Sequence, residues 1–273
     1  MAVLSLKGGV GKTSVVLGLA GAAVARGVRT LVVDLDPQGN CTAALEAGAT
    51  SATMADVLAD PKRSVLARAI APSAWGPHLD VLVGAEEAER HNRPDTDSKR
   101  LGRLDKALSK LDSLHDPAGE DRAPPYRLVL MDCPPSLGAL TRSALVGADR
   151  ALLVTEPTIF AVTGVQRAFE AVQTEREHNP DLQPLGVVVN RVRARSMEHS
   201  YRIDELRQIF GPLVLPTMLP DRSAVQHAQG ACLPIQRWGT PGAREIAVSF
   251  DALLARVLRT TRVRRRGGSP GEG

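Results

Sequence analysis

An α/β fold, doubly wound around a mostly parallel twisted sheet with helices on both faces, is what the sequence predicts, and three observations carry that expectation. Short β-branched runs recur along the chain and are apolar almost throughout, which suits strands buried on both faces of a parallel sheet. Stretches of helical period separate them, as crossovers between parallel strands require. Three of the runs lead directly into a polar residue, Asp34, Asp132 or Asn190, at the sheet edge where open α/β folds bind ligands.

Taken in order, residues 2–6 form the first run, then a glycine loop, then a helical stretch at 14–26 closed by Gly27. Runs at 28–33, 79–83, 128–131, 151–155 and 185–189 complete six expected strands, with helical patterns at 101–114, 163–178, 203–210 and 243–258. Residues 116–125 collect Pro, Gly and charge, and 267–273 are Gly, Pro, Ser and Glu, so both are expected to be mobile. A chain of 273 residues could form one large domain or two small ones. We expect one, over residues 1–260, followed by a basic tail at 261–273. No independent helix-turn-helix is expected ahead of it, since the first run begins beside Met1.

Three cysteines, Cys41, Cys133 and Cys232, have no paired spacing, so neither a disulfide framework nor a zinc ribbon is expected, and a reducing cytosol is. Six scattered histidines argue against histidine metal ligation, and an aromatic content of 3% offers no base-stacking platform. No apolar run reaches the roughly 20 residues of a membrane span. The net charge of +4 and pI near 9.2 are unevenly spread. Arg191, Arg193, Arg195 and Arg202 lie close together, and residues 256–266 hold six arginines and no acid, which points to a polyanionic partner.

The string "LSLKGGVGKTSVV" nearly matches the phosphate loop G-x-x-x-x-G-K-[ST] but has Leu6 at its first glycine and an added lysine, Lys7. Gly8, Gly9 and Gly11 let backbone N–H groups, with those of Val10 and Ser14, converge on an anion at a helix N-terminus. Lys12 would reach the β- and γ-phosphates, and the Thr13 hydroxyl would ligate Mg²⁺. In "VVDLDPQGN" the alternation of an extended segment could turn Asp34 and Asp36 the same way, toward the phosphates, before Pro37 breaks the strand. In "LVLMDCPPSLG" Asp132 ends a strand as a magnesium-orienting carboxylate does, and Gly138 leaves the following turn free to respond to a γ-phosphate. Cys133 reads as a buried small residue.

"KGGVGKT", "DLDPQGN" and "DCPPSLG", in this order, resemble the ParA/MinD group of deviant Walker-type ATPases, and most closely its ParA (Soj-like) partition branch, from Met1 to about residue 258. The resemblance implies ATP and Mg²⁺ as ligands, weak ATP hydrolysis stimulated by a partner, and a nucleotide-sandwich homodimer. Lys7 stands where the family's signature lysine crosses to the other subunit's phosphates. Asp36 matches the residue that places the attacking water, while Asp34 supports the magnesium shell. Asn190 matches an adenine-contacting asparagine, and "LPDRSAVQHAQGACLPI", with Pro220 and Asp221, resembles the segment that closes over the base. Asn190 capping a turn and Asp221 capping a helix remain the alternatives from local sequence.

The implied function is an ATP-switched partition ATPase, cytoplasmic and nucleoid-associated, that holds non-specific DNA as a dimer and is released by a ParB-like centromere-binding protein. Arg191, Arg193, Arg195 and Arg202 are the candidate DNA contacts, against the plainer reading of a solvated helix face. Two alternatives stay open: ParA-like positioning of a protein cargo, and a MinD-like membrane-associated regulator of division. The C-terminal stretch shows only Val257, Leu258 and Val263 as apolar residues, so stable membrane association is not expected. A nitrogenase-reductase-like iron–sulfur protein would need cysteines at positions this sequence lacks.

Overall fold

The computed structural model describes residues 1–93, 97–114 and 124–260. All its strands join one sheet: β1 (Ala2–Leu4), β2 (Thr30–Asp34), β3 (Ile70–Pro72), β4 (Leu79–Leu82), β5 (Leu128–Asp132), β6 (Arg150–Thr155) and β7 (Gln183–Val189). Their order is β3-β4-β2-β5-β1-β6-β7. Every pairing is parallel except β3 with β4. The six expected strands are present. The seventh, β3, was not anticipated, being three residues long and ending in a proline that confines it to an edge.

Alternation along the strands builds a core on each face. Ala2, Leu4, Leu31 and Val33 enter one apolar cluster, while Val3 and Val32, between them in sequence, enter the other. Each such valine or leucine removed from water contributes roughly 1.5–3 kcal/mol. The helices are α1 (Lys12–Ala25), α2 (Asn40–Ala44), α3 (Met54–Ala59), α4 (Arg63–Ala69), α5 (Ser98–Leu101), α6 (Arg103–Leu108), α7 (Leu111–Leu114), α8 (Ala139–Val146), α9 (Ala161–Glu175), α10 (Met197–Phe210), α11 (Ser223–Gly230) and α12 (Pro241–Thr260). Residues of α1, α11 and α12 cover one face; residues of α3, α4, α6, α8, α9 and α10 cover the other.

Packing explains the closest helix pair. The Phe250 ring of α12 lies where a Cβ on Gly18 of α1 would stand, 2.2 Å away, so only glycine permits this approach. Phe250 itself is 1% exposed. The apolar face of α12, including Ile246, Phe250, Leu253, Leu254 and Val257, is thereby buried.

Two helical expectations change. The pattern at 101–114 is not one helix but α5, α6 and α7, broken at Gly102 and again at Ser109–Lys110; glycine costs a helix interior about 1 kcal/mol relative to alanine. Helix α10 starts six residues earlier than expected, because the Ser196 side chain caps it by accepting from the His199 N–H at 3.2 Å. Most of the irregular stretch at 116–125, and all of the expected tail at 261–273, lie outside the described residues.

Candidate phosphate-loop site

Strands β1, β2 and β5 lie side by side at the centre of the sheet, so their C-terminal ends bring the glycine loop, Asp34 and Asp132 to one edge. The chain leaves β1, forms the loop and enters α1 directly at Lys12. Gly9 and Gly11 have φ of 80° and 86°, left-handed backbone that glycine adopts without strain. A Cβ on Gly11 would also lie 2.4 Å from the Asn190 side-chain nitrogen. That nitrogen donates to the Val10 carbonyl at 2.8 Å, so Asn190, 6% exposed at the end of β7, ties the loop to the sheet.

The two lysines diverge. Lys12 is buried, 7% exposed at the first turn of α1, whereas Lys7 is exposed with its Nζ 5.9 Å from the Phe160 ring centroid. Phe160 and Ile159 are themselves 66% and 63% exposed, leaving an apolar surface beside Lys7. The Ser14 hydroxyl accepts from Gln229 Nε2 of α11 at 2.9 Å.

Beneath the loop, Asp34 and Asp132 are register partners on β2 and β5 and both are fully buried. Asp34 is engaged on both oxygens. Its Oδ2 accepts from the Thr42 N–H and hydroxyl at 2.8 and 2.7 Å, and its Oδ1 from the Asp36 N–H at 3.2 Å. Asp132 Oδ2 accepts from the Thr13 hydroxyl at 2.7 Å, but its Oδ1 is buried with no hydrogen-bond partner. Burial first, and then the neighbouring Asp34 charge, push the Asp132 carboxyl up to about 8, against the pull of Thr13 and Lys12. Burial likewise raises Asp34.

An orphaned buried oxygen beside a threonine hydroxyl suits a hard divalent cation. Among the described residues no cluster of three or more His, Cys, Asp or Glu side chains could hold a metal alone. The donor set is therefore one that substrate phosphates and water would complete, as Mg²⁺ prefers. Asp36 is half-buried, and its Oδ1 braces the next turn by accepting from the Gln38 N–H at 3.1 Å.

The loop after β5 is held at both ends. The Thr141 hydroxyl donates to the Ser136 carbonyl at 2.6 Å, and Asn92 Oδ1 accepts from the Leu140 N–H at 3.4 Å. That same Asn92 oxygen stands 1.9 Å from where a Gly138 Cβ would be, so Gly138 is required by a close approach as well as by any freedom it gives. Cys133 is fully buried, as expected.

Three of the four arginines after β7 are engaged by carboxylates. Arg191, at φ 54°, donates to the Gly9 carbonyl at 2.8 Å and pairs with Glu156 at 2.6 Å, clamping the glycine loop. Arg193 pairs with Asp221 at 2.8 Å. Arg202 pairs with Glu198 and Glu205 at 2.7 and 3.1 Å and lies over the Tyr201 ring. Arg195 is exposed and, among the described residues, has no ion pair. Glu198 and Glu205 stand at i−4 and i+3 of Arg202 and were readable in the sequence; Glu156 and Asp221 reach their arginines only through the fold. Asp221 is thus committed to Arg193, and Pro220 pairs with Val192 as an isolated parallel bridge.

A family model described as an AAA domain matches residues 1–184. The chain is 31% identical over 239 residues to the chromosome partitioning protein ParA of Caulobacter vibrioides, covering 86% of this chain and 85% of that protein. It is 30% identical over 241 residues to the sporulation initiation inhibitor protein Soj of Bacillus subtilis, covering 86% and 89%. Among solved structures, cobyrinic acid a,c-diamide synthase of Mycobacterium smegmatis with bound ATP analog and magnesium superposes with a TM-score of 0.74 at 26% identity, covering 96% of each chain.

Proposed function

Since the chain belongs to the AAA-domain family, as a P-loop ATPase of the ParA/MinD group in its partition branch, we propose that it is an ATP-switched partition ATPase that works as a nucleotide-sandwich homodimer on non-specific DNA. The observation that carries this reading is the opposite placement of the two lysines, Lys12 buried in its own loop and Lys7 exposed beside Phe160 and Ile159. A lysine at the first turn of α1 neutralises phosphates bound by its own loop. A lysine on the surface beside exposed apolar side chains is free to reach a second copy.

In this reading the backbone N–H groups of the loop from Gly8 to Ser14 receive the phosphates, and Lys12 faces the β- and γ-groups. Thr13 and Asp132 are the residues that would hold Mg²⁺, with Asp34, engaged by Thr42, adding charge and orienting water. When bound, the cation offsets the charge developing on the transferred phosphoryl oxygens. Asp36 orients the attacking water once it leaves the turn it now braces. Asn190 positions the loop and, with Pro220 and Asp221, borders the base. Hydrolysis is slow alone and accelerated by a ParB-like partner, which resets the dimer.

The buried apolar face of α12 supports this reading over a membrane-associated one, because its apolar residues pack on α1. No helix among the described residues is long and apolar enough to cross a membrane. Sedimentation equilibrium with a non-hydrolysable ATP analogue tests the central claim. Lys7→Ala is expected to keep nucleotide affinity within about threefold while weakening dimerisation tenfold or more; a mutant that dimerises normally with the analogue would overturn it.

A further inference from the structure

Outside the phosphate loop, the described residues contain one converging cluster of cations that this function does not use. Arg90 and His91 come from the 3-10 helix at Glu86–His91, Arg93 follows it, and Arg100 and Arg103 come from α5 and α6. Together with Ser143 of α8 they line a cavity of about 30 Å³ floored by Leu58 and Leu140. Among the described residues no carboxylate lines it.

The contacts of Arg90 and Arg103 leave their positive charge uncancelled. The Arg90 Nε donates to the Glu87 carbonyl at 3.3 Å, and Arg103 donates to the Leu58 carbonyl at 3.0 Å. Backbone oxygens satisfy these donors without neutralising them. Arg100 lies 3.8 Å from Asp97, with both side chains more than half exposed, a loose pair of little strength. Glu86, Glu87 and Glu89 of the 3-10 helix are exposed to solvent and none lines the cavity. The His91 imidazole reports the field: burial and then the Arg103 charge lower its pKa, with Arg90 and Arg100 adding to the effect against a hydrogen bond to the Ala55 backbone.

The geometry points to a second anion site, separate from the phosphate loop, that takes the terminal phosphoryl group of a small molecule. Guanidinium groups match phosphate oxygens in bidentate pairs, and several converging on one point favour a compact multivalent oxyanion over a single carboxylate. A DNA backbone instead needs its cations spaced along an open track. The cavity has room for roughly two water molecules, which suits the head of one such group and excludes a base or sugar.

Its position gives the site a route to the chemistry. Leu140 and Ser143 belong to α8, which begins directly after the loop from Asp132 to Gly138. Asn92, between His91 and Arg93, holds the Leu140 N–H and abuts Gly138. An anion bridging the 3-10 helix, α5 and α8 would therefore fix the start of α8 against the strand edge that bears Asp132.

Calorimetry with inorganic pyrophosphate, titrated into the full chain already saturated with ADP, tests the assignment while the phosphate loop is blocked. Saturable binding is expected, preserved in Lys12→Ala and weakened at least tenfold by Arg90→Ala with Arg100→Ala, two exposed side chains whose loss spares the core. Should that double variant melt early, Arg90→Ala alone is expected to weaken binding about threefold. Absence of binding, loss in Lys12→Ala, or full affinity in the arginine variants would overturn the site. So would a 20-base-pair duplex that needs these arginines when pyrophosphate does not bind.

Discussion

The buried floor of the phosphate loop and the arginine segment after β7 are both rich in charge, yet they are built in opposite ways. At the floor, Asp34 and Asp132 share one dry corner with Lys12 and the Thr13 hydroxyl, and Asp132 keeps an oxygen with no partner. On the rim, Arg191, Arg193 and Arg202 each meet a carboxylate. A group left unsatisfied where water is excluded is costly unless a ligand completes it, whereas a paired surface charge needs nothing further. The difference teaches that a ligand site is found by its unmet demands rather than by its count of charges.

Breaking the buried side of this comparison should have the largest effect. Lys12→Ala removes the cation proposed to face the phosphates, which also partly offsets Asp132. Charge-assisted hydrogen bonds contribute about 1.5–3 kcal/mol, so ATP affinity is expected to fall by between about tenfold and about 150-fold. Calorimetric titration of ATP with Mg²⁺ reads this directly, and an unchanged Kd would remove the phosphate-loop assignment.

A smaller, sharper effect comes from the carboxyl itself. In the ligand-free protein the Asp132 pKa of about 8 lies above its ordinary 3.8, so the folded state binds that proton more tightly than the unfolded one. Its contribution to stability is full at acid pH and is lost as pH rises through about 8. Asp34, raised in the same direction, adds to the trend. The melting temperature without nucleotide is expected to fall between pH 5 and 8, and to fall less in Asp132→Asn. Saturating ATP analogue with Mg²⁺ should flatten the wild-type profile, since a bound cation stabilises the ionised carboxylate. Parallel profiles for wild type and Asp132→Asn would show that the orphaned oxygen is not the source.

Much of the floor was legible in the sequence because its chemistry is local. Glycines before a Lys-Thr pair, and aspartates closing apolar runs, mark loop and strand ends wherever the strands are later placed. The rim was not legible in the same way. The partners of Arg191 and Arg193, Glu156 and Asp221, are 35 and 28 residues away and meet them only because β6 and β7 pair and the chain returns past Val192. The clamp of Arg191 on Gly9, across 182 residues, had no signal at all. The arginine cavity draws on a 3-10 helix at Glu86–His91 whose sequence is a run of charge without period. The short edge strand β3 escaped for a similar reason, since three residues are too few to show alternation.

The smallest expected effect concerns DNA, and it decides whether the ion pairs on the rim persist in the bound state. If the pairs hold, only Arg195 among the four arginines has its charge free to displace counterions from a phosphate. Each phosphate neutralised contributes about 0.9 to the slope of log K against log salt. Arg195→Ala is therefore expected to lower the slope of ATP-dependent binding to a random duplex by about one unit per site engaged. Removing both members of a pair, Arg202→Ala with Glu198→Ala, leaves the net charge of α10 unchanged and should shift the slope by less than about half a unit. Arg202 lies low on the surface, its side chain 16% exposed between Glu198 and Glu205, so a backbone phosphate would have to displace two carboxylates to reach it. Fluorescence anisotropy at several salt concentrations separates the outcomes. A pair deletion that lowers the slope as far as Arg195→Ala does would mean that DNA opens these ion pairs, and the rim would then be a latent site rather than a satisfied surface.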